Sequence, residues 1–509
     1  MERTRHLFRS SIIVLFLFAL AKLVGLAREN RISNEFGLGS AYDAFTSANQ
    51  LPEVFVALIS GGALAAAFIP VYSQYLTNEK KQESIKLAST ILTLLMLVLG
   101  GLSLIGIVFA PTISQHLLAR EVSPEIQQLT ADLLRIILLQ TTLFGISIFL
   151  SSVLNAHQHF VLPALAPLMV DVGYFIGLYF FVPTMGIIGL AWGTVIGGVL
   201  HILIQVPALI RFGFKFVPML AVRMAGVREV LILMIPRVIT IGSIQIVDLV
   251  IIFLLSGETG SKSGYFKAYS LMQLPETLLG TTIAIVIFPT MAELFNAGDI
   301  KGLKHTSMSA LRIIWTLTVP AAVGLVLLGR PLIEILLGGG AFDNDAVQLV
   351  YSILVFFSFR VITEASLEIL ARLFYAQHDT YTPMFVSLGW LVLSIGLAFP
   401  LYGSLGVRGV ALASTIAFTV QAIILFILNR RRLGYLMERE LAATAGRSLL
   451  GACAMVAAIF LVNKIIDNTY IFLIVGGISG VLTYFGITYI TGGREIPNLI
   501  KIARNQPIK

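Results

Sequence analysis

The chain has 509 residues, of which 57% are hydrophobic and only 12% charged, and its formal net charge is +8. This balance excludes an ordinary water-soluble globule, in which roughly a quarter of the residues carry charge. With Cys453 as the single cysteine, an intrachain disulfide and zinc-thiolate chemistry are excluded as well.

Apolar runs of about 20 residues, the length that crosses ~30 Å of hydrocarbon as a helix, recur along the chain. They lack the alternation of barrel strands. They predict an all-α polytopic membrane protein with about fourteen transmembrane helices. In chain order these centre on residues 10–28, 52–76, 87–111, 133–155, 161–183, 186–210, 229–256, 265–292, 310–329, 348–376, 381–402, 406–429, 446–464 and 470–491. The first run follows MERTRHLFRS and reads as a retained helix, because no small-residue cleavage site follows it and the next span begins soon after. Lys22 lies inside this run, which ends on Arg28 and Glu29. A full charge at bilayer depth costs roughly 2.5–3.5 kcal/mol on insertion scales, so such a residue normally faces a protein-lined cavity. Positive sign selects an anionic client.

Lys and Arg alternate between the two sides of the predicted spans. One side carries Arg3, Arg5 and Arg9, then Lys80, Lys81 and Lys86, then Arg211, Lys215, Arg223 and Arg228, and later Lys301, Lys304, Arg430, Arg431, Arg432 and the tail with Lys501, Arg504 and Lys509. The positive-inside rule makes that side, and both termini, cytoplasmic. The basic character reports topology and attraction to anionic membrane lipid, and nothing in the chain resembles a nucleic-acid site.

The chain also repeats itself. Ala156 and Ala376, Pro163 and Pro383, Gly186 and Gly406, Gly189 and Gly409, and Ala191 and Ala411 all pair at a single separation of 220 residues. Six spans separate equivalent elements, so the halves are parallel repeats related by an axis along the membrane normal, an arrangement that supports alternating access. The expected organisation is an N-lobe over 1–211, a cytoplasmic linker over 212–228, a C-lobe over 229–430, and two C-terminal helices with a basic tail over 431–509.

Three segments, AKLVGLAREN (21–30), FGLGSAYDAFTSANQLPE (36–53) and GGALAAAFIPVYSQYL (61–76), are similar to the N-terminal signature of the MurJ (MviN) lipid II flippases. That family lies within the multidrug/oligosaccharidyl-lipid/polysaccharide exporter superfamily. The resemblance continues through LNAHQHFVLPALAP (154–167), LMQLPETLLG (271–280) and LLGGGAFDNDAV (336–347). It implies a transporter, not an enzyme, that moves an undecaprenyl-pyrophosphate-linked peptidoglycan precursor between leaflets. It also implies two lobes bounding a cationic cavity and a lipid-tail groove on the last two helices. Arg28 and Asp43 match the family pattern, and Lys22 stands where many members have Arg. Val56, Gly61 and Ser270 fall where many proteobacterial members carry Arg, Glu and Arg, which makes the implied cavity less basic; Lys267, one turn before Ser270, compensates.

The site residues are read against these expectations. Lys22, Gly25 and Glu29 share a helical face, whereas Arg28 points about 120° away. Aiming Lys22 and Arg28 at one pyrophosphate therefore needs a kink or an unwound turn at Gly25; otherwise both are interfacial. Lys267 and Ser270 complete the expected substrate contacts. Asp43 is read either as a gating partner for Arg or Lys, with Glu29, or as a helix cap or solvated carboxylate. Asp248 is a candidate ligand for a coupling monovalent cation, or an interfacial carboxylate. Arg360, Glu364, Glu368 and Arg372 form an i,i+4 ladder, read as a neutralised stripe or as a charge relay. His157, His159 and His378 sit at matching turns of the two repeats. No metal or organic cofactor is expected; coupling to a monovalent cation or to the membrane potential is. Expected partners are the glycolipid, membrane lipids and cell-wall synthesis proteins. The rival functions are a flippase for another polyprenyl-pyrophosphate oligosaccharide and a cation-coupled multidrug exporter, the latter disfavoured by a basic residue in the first helix.

Overall fold

The computed structural model describes residues 2–60, 63–77, 81–493 and 495, and within them all side chains except those of 2–16, 18, 19, 59, 60, 63, 66, 77, 236, 237 and 240. Gly61, Lys80 and the tail from Lys501 lie outside the described residues. The helices are α1 (Glu2–Phe36), α2 (Ser40–Ser60), α3 (Ala63–Thr77), α4 (Lys81–Val108), α5 (Pro124–Ala156), α6 (Val161–Met185), α7 (Ile187–Arg211) and α8 (Ala225–Leu254). They continue as α9 (Ser261–Asn296), α10 (Ile300–Leu337), α11 (Asn344–Ser358), α12 (Arg360–Ala376), α13 (Tyr381–Leu405), α14 (Val407–Leu433), α15 (Glu438–Asn463) and α16 (Thr469–Ile490). Among the described residues there is no strand, only an isolated bridge between Gly339 and Phe342.

Ten of these helices are long and apolar enough to cross a membrane, and α11 with α12, bent by 42°, makes an eleventh. The remaining expected spans coincide with α1, with α2 followed by α3, and with α8. Polar caps set several boundaries: Asp299 accepts from the Gly302 N–H at 2.8 Å, Asp343 from Ala346 at 2.9 Å, and Asn468 from Tyr470 at 3.0 Å.

The helices fall into two compact units, Met1–Ser263 with Gly339–Phe342, and Gly264–Gly338 with Asp343–Lys509. The cut lies one helix beyond the 212–228 linker expected from sequence, because α8 packs on α2 and α3. The first unit is built around Phe68, Leu87, Phe149, Val153, Leu154 and Val230, all essentially inaccessible. Its α6 and α7 approach backbone to backbone: a Cβ added to Gly173 would lie 2.3 Å from Gly197 Cα, and one on Gly193 2.8 Å from Gly173 O. Close glycine contact of this kind holds helices together where no hydrophobic effect acts between them. In the second unit, α15 and α16 lie on α10 through Leu328, Met455, Ile459 and Tyr484.

The repeat is visible in backbone conformation within each unit separately. Gly186 (φ +57°) joins α6 to α7, and Gly406 (φ +61°) joins α13 to α14. Each donates its N–H over 2.8 Å, to Val182 O and to Tyr402 O respectively. A positive φ favours glycine. The preceding helical turns match as well, with Gln158 at φ 59° and His378 at φ 60°.

Candidate functional site: buried charges of the two units

Arg28 is turned inward from α1 onto α6. Its Nη1 donates to Asp171 Oδ1 at 2.8 Å, its guanidinium lies 4.6 Å from the Tyr174 ring centroid, and Nη2 is 4.0 Å from Glu29 Oε1. The Nε is buried and has no hydrogen-bond acceptor among the described residues. A guanidinium so placed is held by one carboxylate and one aromatic face, with a donor left over for an incoming oxygen. Lys22 is exposed. The helix runs unbroken through Gly25, where nothing lies within 4 Å of an added Cβ, so the unwound turn that would join Lys22 to Arg28 is not formed. Asp171 escaped the sequence reading, although a carboxylate in the middle of LAPLMVDVGYF is as costly at bilayer depth as a lysine.

Asp43, in the first turn of α2, is 6% exposed. Its carboxylate accepts from the backbone N–H of Ser263 at 2.9 Å, from the Ser263 hydroxyl at 2.6 Å and from the Gly260 N–H. It therefore caps the start of α9 from a different helix, satisfying N–H groups that have no partner inside α9 itself. Its bonded partners here are backbone and hydroxyl rather than Arg or Lys. The neighbouring Lys262, also buried, donates to Leu118 O at 2.7 Å.

Asp248 is half-buried on α8 and acts electrostatically on Glu53 of α2, whose carboxylate accepts from Asn49. Glu53 was not singled out from sequence. In the second unit Lys267 is buried and Ser270, one turn on, is exposed, so the two do not share an environment. The ladder on α12 resolves into two pairs: Arg360 Nε to Glu364 at 2.7 Å, and Arg372 to Glu368. Arg360 also donates to Ser414 Oγ at 2.7 Å and lies 3.8 Å from the Phe418 centroid, while Gln273 donates to Glu364 at 3.1 Å. Glu276, a further buried carboxyl missed in the sequence, accepts from Thr281 at 3.2 Å beside a π-helical turn at Thr277–Thr281.

Outside the spans, His157 stacks on Phe212 with centroids 4.9 Å apart, and its Nε2 is 3.5 Å from Tyr72 OH. Burial pushes its pKa down, and burial with the nearby Arg211 does the same to His159. His378 lies near Asn296, 3.1 Å from its Oδ1.

Two helical units related by an internal repeat, with ion pairs buried inside apolar spans, define a multi-pass membrane transporter. The family model described as lipid II flippase MurJ matches residues 32–476, and this chain belongs to that family. It is 27% identical to a probable lipid II flippase MurJ of Bdellovibrio bacteriovorus, over 98% of this chain and 97% of that one. It is 29% identical to a probable lipid II flippase MurJ of Haemophilus influenzae, over 87% and 90%. Its fold resembles a solved lipid II flippase MurJ in an inward closed conformation, with a TM-score of 0.81, 23% identity and coverage of 96% of this chain and 100% of that one. An inward-facing multidrug resistance MATE transporter of the MOP superfamily has the same fold at a TM-score of 0.71 and 16% identity, over 84% and 99%.

Proposed function

We infer that this protein is a lipid II flippase, carrying the undecaprenyl-pyrophosphate-linked disaccharide-peptide from the inner to the outer leaflet by alternating access. The family match over most of the chain is the observation that carries this reading. The protein sits in the bacterial cytoplasmic membrane with both termini cytoplasmic, on the count of basic residues.

Arg28 is the primary pyrophosphate contact. It is charged at any physiological pH, presents a planar fork suited to phosphate oxygens, and is held by a carboxylate that an incoming pyrophosphate displaces. Lys22, on another face of α1, and Lys267 and Ser270, in separate surroundings on α9, act as further and distinct contacts rather than as parts of one cluster with Arg28. Asp43 and Glu29 act in gating, Asp43 by releasing and recapturing the start of α9. Coupling draws on a monovalent cation or on the membrane potential, with Asp248 as the ligand and Glu53 as its neighbour. The α12 ladder relays charge within the second unit. Cell-wall synthesis proteins are the expected associates.

The test is to deplete the protein in its host and measure lipid II in each leaflet by its accessibility to an external enzyme. Inner-leaflet lipid II should accumulate and be cleared by the wild-type protein but not by Arg28→Ala. Accumulation of a different polyprenyl-linked sugar, with lipid II unchanged, would reject the reading.

A further inference from the structure

In the first unit a cavity of about 290 Å³ opens where the ends of α3 and α5, the start of α4 and the stretch just after α7 meet, on the side that the basic residues make cytoplasmic. Its lining combines two chemistries. Tyr72, Phe212 and Phe214 supply aromatic rings, and His157 adds a fourth flat ring, stacked on Phe212 with centroids 4.9 Å apart and 15° between the planes. Lys81 and Ser84, on the first turn of α4, supply the polar side, and the Tyr72 hydroxyl joins them beside Ser84, 3.5 Å from His157 Nε2. Burial pushes the His157 pKa down and keeps that ring neutral at pH 7, so the lining carries the single positive charge of Lys81. Arg211, near enough to act on His159, adds to the field of the same sign. Charge and rings face each other across the cavity: a Cβ added to Gly213, between Phe212 and Phe214, would lie 3.9 Å from Lys81 Nζ. The volume is at the small end of ligand pockets, which run from about 300 to 1,000 Å³, and excludes the disaccharide-peptide head of a lipid-linked precursor.

We propose that this cavity binds a nucleoside monophosphate from the cytoplasm, its base against Phe212 and Phe214 and its phosphate on Lys81 and the Tyr72 hydroxyl. Every base offers a π face that aromatic side chains accept, and an ammonium at the mouth of a small cavity recognises phosphate as a point charge. Ser84 Oγ, whose proton goes to Lys81 O at 2.9 Å, is left as an acceptor for a ribose hydroxyl. A bare phosphate would leave the rings unused, and a phospholipid headgroup brings no flat group to fill them; the volume selects a single-ring base. The ligand would bridge α4 to the stretch after α7. That stretch is already fastened to α4 further on, where the N–H groups of Val217, Met219 and Ala221 donate to the hydroxyls of Ser89, Thr93 and Thr90 over 3.2–3.3 Å. The site shares no residue with the pyrophosphate contact assigned to Arg28, and its failure would leave the flippase reading untouched.

Isothermal titration calorimetry of the full-length protein in detergent tests this, with uridine monophosphate, uridine and ribose 5-phosphate titrated in turn at pH 7. Uridine monophosphate should bind about tenfold more tightly than uridine, the worth of one charge-assisted bond to phosphate, and about tenfold more tightly than ribose 5-phosphate, the worth of one stacked base. Lys81→Gln, at an exposed position, should erase the first margin and keep the second, and Phe214→Ala should do the reverse. If Phe214→Ala fails to fold, the ligand series and Lys81→Gln decide. No binding of uridine monophosphate at millimolar concentration, equal binding of uridine or of ribose 5-phosphate, an undiminished margin in either folded variant, or displacement of the nucleotide by phosphatidylglycerol would each overturn the proposal.

Discussion

Replacing Asp171 by Asn should weaken the fold and strengthen anion binding at the same time. The 2.8 Å contact between Arg28 and Asp171 corresponds to a charge separation of ~4 Å, worth ~4 kcal/mol at an effective dielectric constant of 20. Breaking a buried pair from one side costs about 3–5 kcal/mol. Here Arg28 keeps the Tyr174 face and Glu29 as partial substitutes, and its side chain is 24% exposed, so a loss of about 2–3 kcal/mol is expected. The assay is a double-mutant cycle of Arg28→Ala, Asp171→Asn and the pair, by equilibrium unfolding in detergent. The pair should be less damaged than the sum of its parts by about 2 kcal/mol. In parallel, undecaprenyl pyrophosphate should bind Asp171→Asn about tenfold more tightly, since the carboxylate that competes for Arg28 is gone. Additivity within ~0.5 kcal/mol, or weaker anion binding by Asp171→Asn, would refute the idea that Asp171 holds the guanidinium in readiness.

Three further outcomes follow from the geometry. Asp43→Ala leaves the Gly260 and Ser263 N–H groups without their acceptor, which costs about 2–4 kcal/mol; hydrogen exchange at those two amides should accelerate at least about 30-fold, and unchanged protection would contradict the capping role. Gly193→Leu drives a side chain into the Gly173 and Gly177 backbone and should abolish folded protein in size-exclusion chromatography, whereas the same change at Gly446, which has open space around it, should be tolerated. The folded His157 pKa is depressed by burial, so the unfolded chain binds the proton more readily. Its contribution is full above the unfolded value of about 6.5 and is lost as pH falls through that value toward the lower folded one. The unfolding midpoint should drop below about pH 6.5, and His157→Phe should flatten the slope.

The helical architecture was legible because run length and the 220-residue repeat are properties of the chain alone. So was Arg28, since a charge in an apolar run announces itself. Asp171 obeys the same rule, but its pairing with Arg28 joins residues 143 apart that no spacing in the chain relates. The role of Asp43 was not legible: its acceptor geometry depends on Ser263, 220 residues away, and no periodicity relates a carboxylate to backbone N–H groups on another helix. Lys22 and Arg28 differ for a reason that sequence does permit, since a continuous helix separates their faces, but only coordinates show that Gly25 leaves the helix intact.

The one-residue joints at Gly186 and Gly406 bear on how the protein is made. Met185 ends one helix and Ile187 begins the next, so there is no loop to be threaded across the bilayer after its helix has entered. Each pair is suited to entering as a closed hairpin, with only the turn on the far side. That side then offers a protease or an antibody almost nothing to grip at either joint, and the ribosome supplies the same pre-bent unit twice, 220 residues apart.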